Sequence, residues 1–297
     1  VNDNSIWFGR AGSLRKLWDP TGGVLATRER ETSVFTNKSG GVRTIKALEG
    51  ARQFSLNYGA LGRASFEYIN QFVQGHMGPG PFVLIDPGRR NMLTVNQSAA
   101  TSQTGDTRGF VANASGSSLA SADSTWGGLP KVLTWSFATS APSSPTLLLS
   151  KPSNVTGWLG IPVLNRAHTF WCTVVGGPID VQLRLDWYNA AGLMSSSTGT
   201  TVTTSTTLPK RVAVQNVIPP AGALWVQCYV APISGTVVAG ESLSFLNFML
   251  QEGDQPDGSW VGGTGVYPVT VLGMPEKYGF AEPGMLVSPT LTLQEVR

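Results

Sequence analysis

Ile179-Asp180-Val181-Gln182-Leu183-Arg184-Leu185-Asp186-Trp187 is the stretch that decides the fold class. On an extended chain Ile179, Val181, Leu183, Leu185 and Trp187 fall on one side, and Asp180, Gln182, Arg184 and Asp186 on the other. Such period-two alternation belongs to an antiparallel strand with one face on a core and the other toward water. Asn189-Ala190-Ala191-Gly192 reads as the turn after it. Further along, Leu224, Val226, Cys228 and Val230 share one face of another strand, which puts Trp225 on the opposite face. Phe245, Asn247 and Met249 oppose Leu246, Phe248 and Leu250 in a third strand, buried on both sides, and Thr169–Val175 is a fourth. Ser195–Thr207 reads as a polar edge strand rather than a linker, because Thr suits strands. Many short strands broken by Gly, Pro and Ser predict an all-β protein, a sandwich or barrel.

Composition supports this. Of 297 residues, 41% are hydrophobic and only 13% charged, about half the usual ~25%. With 35 Gly and 19 Pro, the chain is unsuited to long helices or coiled coils. A net charge of +3 is too small to argue for nucleic-acid binding. Two Cys and two His cannot make a four-ligand zinc site at short spacing, and Cys172 and Cys228 read as buried thiols. No apolar run reaches the ~20 residues of a membrane span. Val1-Asn2-Asp3-Asn4 shows no basic segment leading into an apolar run, so no secretory signal is expected in this sequence.

Charge divides the chain unevenly. Residues 1–92 hold twelve Lys/Arg against seven Asp/Glu, 93–256 hold seven of each, and 257–297 hold two against four. The first stretch contains strand-like Thr32–Thr36 and Gln53–Tyr58, then Phe66, Ile69, Phe72 and Val73 at helical spacing. That pattern predicts one short helix, with Ser65 as N-cap and Gly75 just past its end. Phe82-Val83-Leu84-Ile85 reads as a buried strand. The last stretch offers strands at Gly265–Leu272 and Leu291–Val296. About 40 residues cannot hold a core alone, so the expectation is a discontinuous domain, 1–92 with 257–297, and a β-sandwich inserted as 93–256.

Catalytic patterns are scarce. The sequence has no G-x-S-x-G, H-E-x-x-H, C-x-x-C or P-loop pattern. Gly262-Gly263-Thr264-Gly265 resembles the start of a dinucleotide loop, but Pro268 stands where a further Gly belongs, so a plain turn is the better reading. Neither His76 nor His168 has an identifiable catalytic partner. Asp180 and Asp186 lie six residues apart on one strand, ~20 Å, which is too far for a glycosidase pair. No catalytic residue, metal ligand or cofactor is therefore assigned, and the chain reads as a non-enzyme. Trp187 belongs to the core by its alternation. Trp126, in Ser124-Thr125-Trp126-Gly127-Gly128, and Trp158, in Thr156-Gly157-Trp158-Leu159-Gly160, lie in loop-like contexts and are the candidates for stacking on sugar rings.

Three segments together carry a family resemblance. They are Trp18-Asp19-Pro20-Thr21-Gly22-Gly23, then Gly78–Pro87 leading into Asn91-Met92-Leu93-Thr94, and finally Trp260–Val266 with Leu291–Val296. The arrangement resembles minor tail proteins of long-tailed, siphovirus-type phages of actinobacteria, of the distal tail protein type. The segment around Trp158–Val163, the strand Val181–Trp187, Pro219–Val226 and Phe245–Leu250 resemble a carbohydrate-binding-module jelly roll. The resemblance implies a tail-tube-like β-sandwich in the split domain and a structural role. A homo-oligomeric, hexameric ring would join the tail tube protein to the tip or baseplate hub protein at the virion's tail tip. The inserted domain would face outward toward a host cell-wall glycan. The chain would be made in the host bacterial cytoplasm, with no membrane insertion. A stand-alone carbohydrate-binding module or adhesin is the alternative reading.

Overall fold

The computed structural model describes residues 6–17, 20, 21, 24–28, 32–36, 42–46, 51–59, 61–86, 91–101, 105–124, 126, 130–138, 145–149, 158–233, 235–253, 260–263, 265–281 and 284–296. The chain opens with β1 (Ile6–Gly9), β2 (Arg15–Leu17), β3 (Val24–Arg28), β4 (Thr32–Thr36), β5 (Val42–Lys46), β6 (Arg52–Asn57), helix α1 (Arg63–Val73) and β7 (Phe82–Ile85). Next come α2 (Val95–Ser98), β8 (Phe110–Asn113), β9 (Ser117–Asp123), β10 (Lys131–Phe137), β11 (Thr146–Leu149) and β12 (Ile161–Pro162). They are followed by β13 (His168–Gly176), β14 (Asp180–Asn189), β15 (Gly192–Thr198), β16 (Val202–Thr203), β17 (Lys210–Val217), β18 (Trp225–Pro232) and β19 (Ser242–Glu252). The chain closes with β20 (Val266–Gly273), β21 (Glu276–Ala281) and β22 (Gly284–Glu295).

These elements make a mainly β protein that divides into two compact units. One comprises Ser5–Gly9, Arg15–Leu84 and Tyr267–Arg297, and the other is built chiefly from Ile85–Val266. In the first, strands run in the order β2-β1-β7-β20-β22-β6-β3, with β21 paired to β22, and β4 and β5 form a separate hairpin. Early and late chain meet directly, since β22 pairs with β6 through Leu291 opposite Leu56 and Leu293 opposite Phe54. Helix α1 lies against this sheet. Its apolar residues Tyr68, Ile69 and Phe72 are buried. The Phe72 ring centroid lies 4.8 Å from Phe8 and 4.9 Å from Phe82. The Tyr68 hydroxyl donates to the Phe8 carbonyl at 2.9 Å, which satisfies the one polar atom of a buried ring. The helix starts before Ser65, with Gly62 in the N-cap position, while Gly75 has the positive φ of 75° expected past its end.

The second unit is a two-sheet sandwich. One sheet has the order β15-β14-β18-β11-β8, with β12 on β18 and β16 on β14; the other is β17-β13-β19-β10-β9. The chain passes repeatedly between the sheets, as in a jelly roll. Rings meet across the interior: Phe110 and Phe248 at 5.7 Å, and His168 and Trp187 at 5.8 Å. One facing expected from alternation is changed. In β19 the register shifts, so that Phe245 pairs with Val174 but Asn247 with Thr173. The bulge moves Phe245 to the side of Phe248 and Leu250, all fully buried, and separates it from Asn247.

The second unit reaches beyond 93–256 because its entering and leaving segments bond to each other. Asp86 N donates to Gly265 O at 2.8 Å, and Gly265 N to Asn91 O at 2.9 Å. The pairing of β10 with β19 runs only to Phe245. Past that point Asn91 takes the place of a strand. Its Oδ1 accepts from Leu250 N at 3.2 Å, and its Nδ2 donates to Phe248 O at 2.9 Å. Backbone groups that would be orphaned in the interior are thereby satisfied. Helix α2 follows with a capping box of Thr94 and Gln97, a Thr-x-x-Gln signature. Gly263 sits against the same turn, where a Cβ would meet Leu93 O at 2.3 Å and Thr94 O at 2.5 Å. Gly263 is thus required by close packing, whereas nothing lies within 4 Å of a Cβ on Gly262; Thr264 lies outside the described residues.

Candidate functional site

The outer face of the sheet β15-β14-β18-β11-β8 combines aromatic rings with polar groups. Alternation along β14 and β18 turns Val181, Leu183, Leu185, Trp187, Val226, Cys228 and Val230 inward, all fully buried. Tyr188, Asp186, Arg184 and Gln182 therefore face outward beside Trp225, Gln227 and Tyr229. The antiparallel register sorts them into rows running across the strands, ~4.8 Å apart from strand to strand.

The first row is apolar and aromatic. It runs Leu193, Tyr188, Trp225, Pro162 across β15, β14, β18 and β12. A register shift beside Tyr188 leaves Met194 as an extra residue, and Leu193 and Met194 are both exposed, at 57% and 36%. The turn that starts β15 is held by Asn189, whose Oδ1 accepts from Ala191 N at 2.8 Å and Gly192 N at 3.1 Å. Tyr188 and Trp225 are partly exposed, and the Trp225 indole nitrogen has no hydrogen-bond partner among the described residues.

The second row is Ser196, Asp186, Gln227 and the third is Thr198, Arg184, Tyr229, Leu148, Val111. Their polar groups are joined to one another. Arg184 Nε lies 2.9 Å from Asp186 Oδ1, and Nη2 donates to Oδ2 at 3.0 Å. The Arg184 guanidinium also covers the Tyr229 ring at 4.6 Å. The Tyr229 hydroxyl donates to Gln227 Oε1 at 2.6 Å, and Gln227 Nε2 donates to Leu159 O. Burial, together with a hydrogen bond to Tyr188, pushes the Tyr229 hydroxyl well above the ordinary tyrosine range. At the far end Asp180 accepts from Thr203 Oγ1 at 2.5 Å. Asp186 is only 3% exposed, so it is not the solvated carboxylate that alternation suggested; the Arg184 pair makes its burial tolerable.

The two tryptophans singled out from sequence lie elsewhere. Trp158 is 5% exposed and belongs to the core, which leaves no open ring face for a sugar. That corrects the expectation: Leu159 and Gly160, just after it, are drawn against β18, where a Cβ on Gly160 would meet Val226 O at 2.4 Å. Trp126 is partly exposed in the loop between β9 and β10, on the other sheet, and its backbone N–H donates to Ser124 Oγ at 3.0 Å. His76 is exposed. His168 is fully buried, with Nδ1 2.7 Å from the Arg166 carbonyl, and burial lowers its pKa to about 4. Cys172 and Cys228 are free and buried. Among the described residues no cluster of His, Cys, Asp or Glu suits a metal ion, and no helix is long and apolar enough to cross a membrane.

No family model matches the sequence, and no curated protein matches it. Solved structures do match over about half the chain. The CBM22-1 xylan-binding domain of Paenibacillus barcinonensis Xyn10C aligns at 12% identity and a TM-score of 0.39, over 56% of this chain and 97% of that one. TmCBM61, solved with β-1,4-galactotriose, aligns at 15% identity and a TM-score of 0.38, over 55% and 99%. The enzymatically active domain of tailspike protein 4 of bacteriophage CBA120 aligns at 11% identity and a TM-score of 0.39, over 55% of this chain and 21% of that one.

Proposed function

We propose that the sandwich unit binds a glycan on the outer face of β14 and β18. The observation that carries this is the direct opposition of Tyr188 and Trp225, two partly exposed rings in one row, beside the fixed polar rows of Asp186, Gln227, Arg184 and Tyr229. Sugar rings present apolar C–H faces that stack on aromatic side chains, and their hydroxyls need rigid polar neighbours. A platform preset by its own hydrogen bonds loses little freedom on binding. The test is depletion of the protein by insoluble cell-wall and plant polysaccharides. Trp225→Ala and Tyr188→Ala should each abolish retention with an unchanged far-UV spectrum, while Trp126→Ala retains it. Full retention by the first two variants would refute the assignment.

The split unit is proposed as the virion-borne part, a homo-oligomeric, hexameric ring at a phage tail tip between the tail tube and the hub. This rests on the sequence resemblance, of whose segments Trp18–Gly23, most of Gly78–Pro87 and Leu291–Val296 belong to this unit while Asn91–Thr94 and Trp260–Val266 belong to the sandwich unit; Trp18, Asp19, Gly22 and Gly23 lie outside the described residues. Light scattering and negative-stain images of the purified chain decide it, and a monomer that fails to label tail ends through an antibody would count against it. The chain is read as a binder, not an enzyme. Release of soluble sugar from any retained polysaccharide would overturn that.

A further inference from the structure

We infer that Asp186, with Arg184 beside it, is the group by which the face on β14 and β18 reads a free sugar hydroxyl, and that the Tyr188 hydroxyl is the latch over it. This rests on the glycan-binding reading above and adds the residue that decides which sugars are taken. Asp186 stands on the outward side of β14 yet is only 3% exposed. Its charge is held by Arg184, but incompletely. Arg184 Nη2 donates to Oδ2 at 3.0 Å. The second contact, Nε to Oδ1 at 2.9 Å, is not a hydrogen bond, and both atoms lack a hydrogen-bond partner among the described residues. At that separation the N–H must point away from the oxygen. An unfilled donor and an unfilled acceptor therefore lie side by side, and each is unfavourable until filled. A hydroxyl fills both at once, since it donates one proton and accepts through a lone pair. A methyl ether or an ester lacks the proton, and a carboxylate brings a like charge to Asp186. The Trp225 indole N–H, one row off, is a further unfilled donor.

The register shows what keeps Asp186 from water. Tyr188 lies one row to one side of it on β14, and Tyr229, on β18, lies one row to the other. The hydroxyls of these two rings are hydrogen-bonded, so the rings meet above the row of Asp186 and Gln227. Tyr229 has a second partner in Gln227 Oε1, which holds it in place when Tyr188 lets go. Rotation of the Tyr188 ring alone then uncovers the carboxylate. The ring stays in its row beside Trp225 and the polar groups beneath do not move, so little order is lost or gained on binding.

The experiment uses the full chain in affinity electrophoresis against soluble xylan, glucomannan and galactan, each also as its O-methylated derivative. The parent should bind the free member roughly 10-fold tighter or more. Arg184→Met with Asp186→Leu removes the pair without stranding either charge, a replacement that leaves folds stable. That variant should still melt cooperatively, lose most of its affinity for the free member and bring the ratio close to one. A ratio kept by the folded variant would show that bulk, not the pair, excludes the methyl groups, and overturns the inference. Tyr188→Phe keeps the stacking ring and frees the latch, so it should bind about 2- to 10-fold tighter than the parent. Unchanged or weaker binding by that variant overturns the latch. Equal binding of both members by the parent overturns the inference and leaves the glycan reading standing. Binding to no polysaccharide counts against both.

Discussion

Arg184 is shared between two neighbours: its guanidinium lies 4.6 Å over the ring of Tyr229, its cross-strand partner, while its Nε sits 2.9 Å from Asp186 Oδ1. The arrangement is asymmetric. Asp186 is nearly sealed, with a side chain 5% exposed, whereas Arg184 keeps 32% of its surface open.

The two halves of that pair should therefore differ when removed. Arg184→Met strands a buried carboxylate and should cost roughly 3 kcal/mol. Asp186→Ala leaves a cation that still reaches water and should cost about half as much. Urea midpoints of the two variants, with unchanged slopes, measure the difference. Equal losses would show that burial of Asp186 is not what makes the pair matter.

Acid should destabilise the sandwich through His168. Burial lowers its pKa to about 4 from the ordinary 6.5, so the unfolded chain takes up the proton first. Its contribution is fully present above pH 6.5 and fades as pH falls toward 4, by about 3 kcal/mol in total. Its neighbour on β19, Glu252, is paired with Arg166 at 2.7 Å. Unfolding midpoints from pH 7 to pH 4 should fall less steeply for His168→Gln than for the parent. Parallel curves would exclude His168 as the source.

Both thiols should be inert in the folded protein. Cys172 and Cys228 are fully buried, and burial pushes each thiol well above the ordinary range. A thiol reagent such as dithionitrobenzoate should label neither quickly, and both at once in denaturant. Rapid labelling of one would locate a local opening of its strand.

Gly263→Ala should destabilise the sandwich by more than ~2 kcal/mol, because the added carbon meets two carbonyl oxygens of the α2 entry rather than a flexible side chain. Gly262→Ala, where nothing lies within 4 Å, should be nearly neutral. The pair compared by thermal melting separates close packing from loop entropy.

Much of the outer face of β14 and β18 is legible in the amino-acid pattern. Alternation around Asp186 and around Cys228 places Arg184 and Trp225 on the non-core sides of their strands, and period two is enough to decide that. The adjacency of β14 and β18 is not legible there. Some 40 residues separate them, and no local signal states that Tyr188 stands opposite Trp225. Trp158 misleads for a related reason: its glycine-flanked context looks like a loop, yet β12 draws the following residues onto β18 and the ring is buried. The capping box of Thr94 and Gln97 is a local signal of the other kind, readable from its spacing but easily lost in a Ser- and Thr-rich stretch.

Side-chain periodicity and composition are sufficient for the β class, for the polarity of most strand faces, for the helix around Ile69 and for the reading of Cys172 and Cys228 as buried thiols. They are not sufficient for the bulge that turns Phe245 inward, the Asn91 side chain that replaces a strand beside Leu250, or the contacts of Arg184 with both Asp186 and Tyr229. Those follow from the assembled fold. Alternation is a property of one strand, whereas register and burial depend on which distant strand supplies the next row of hydrogen bonds.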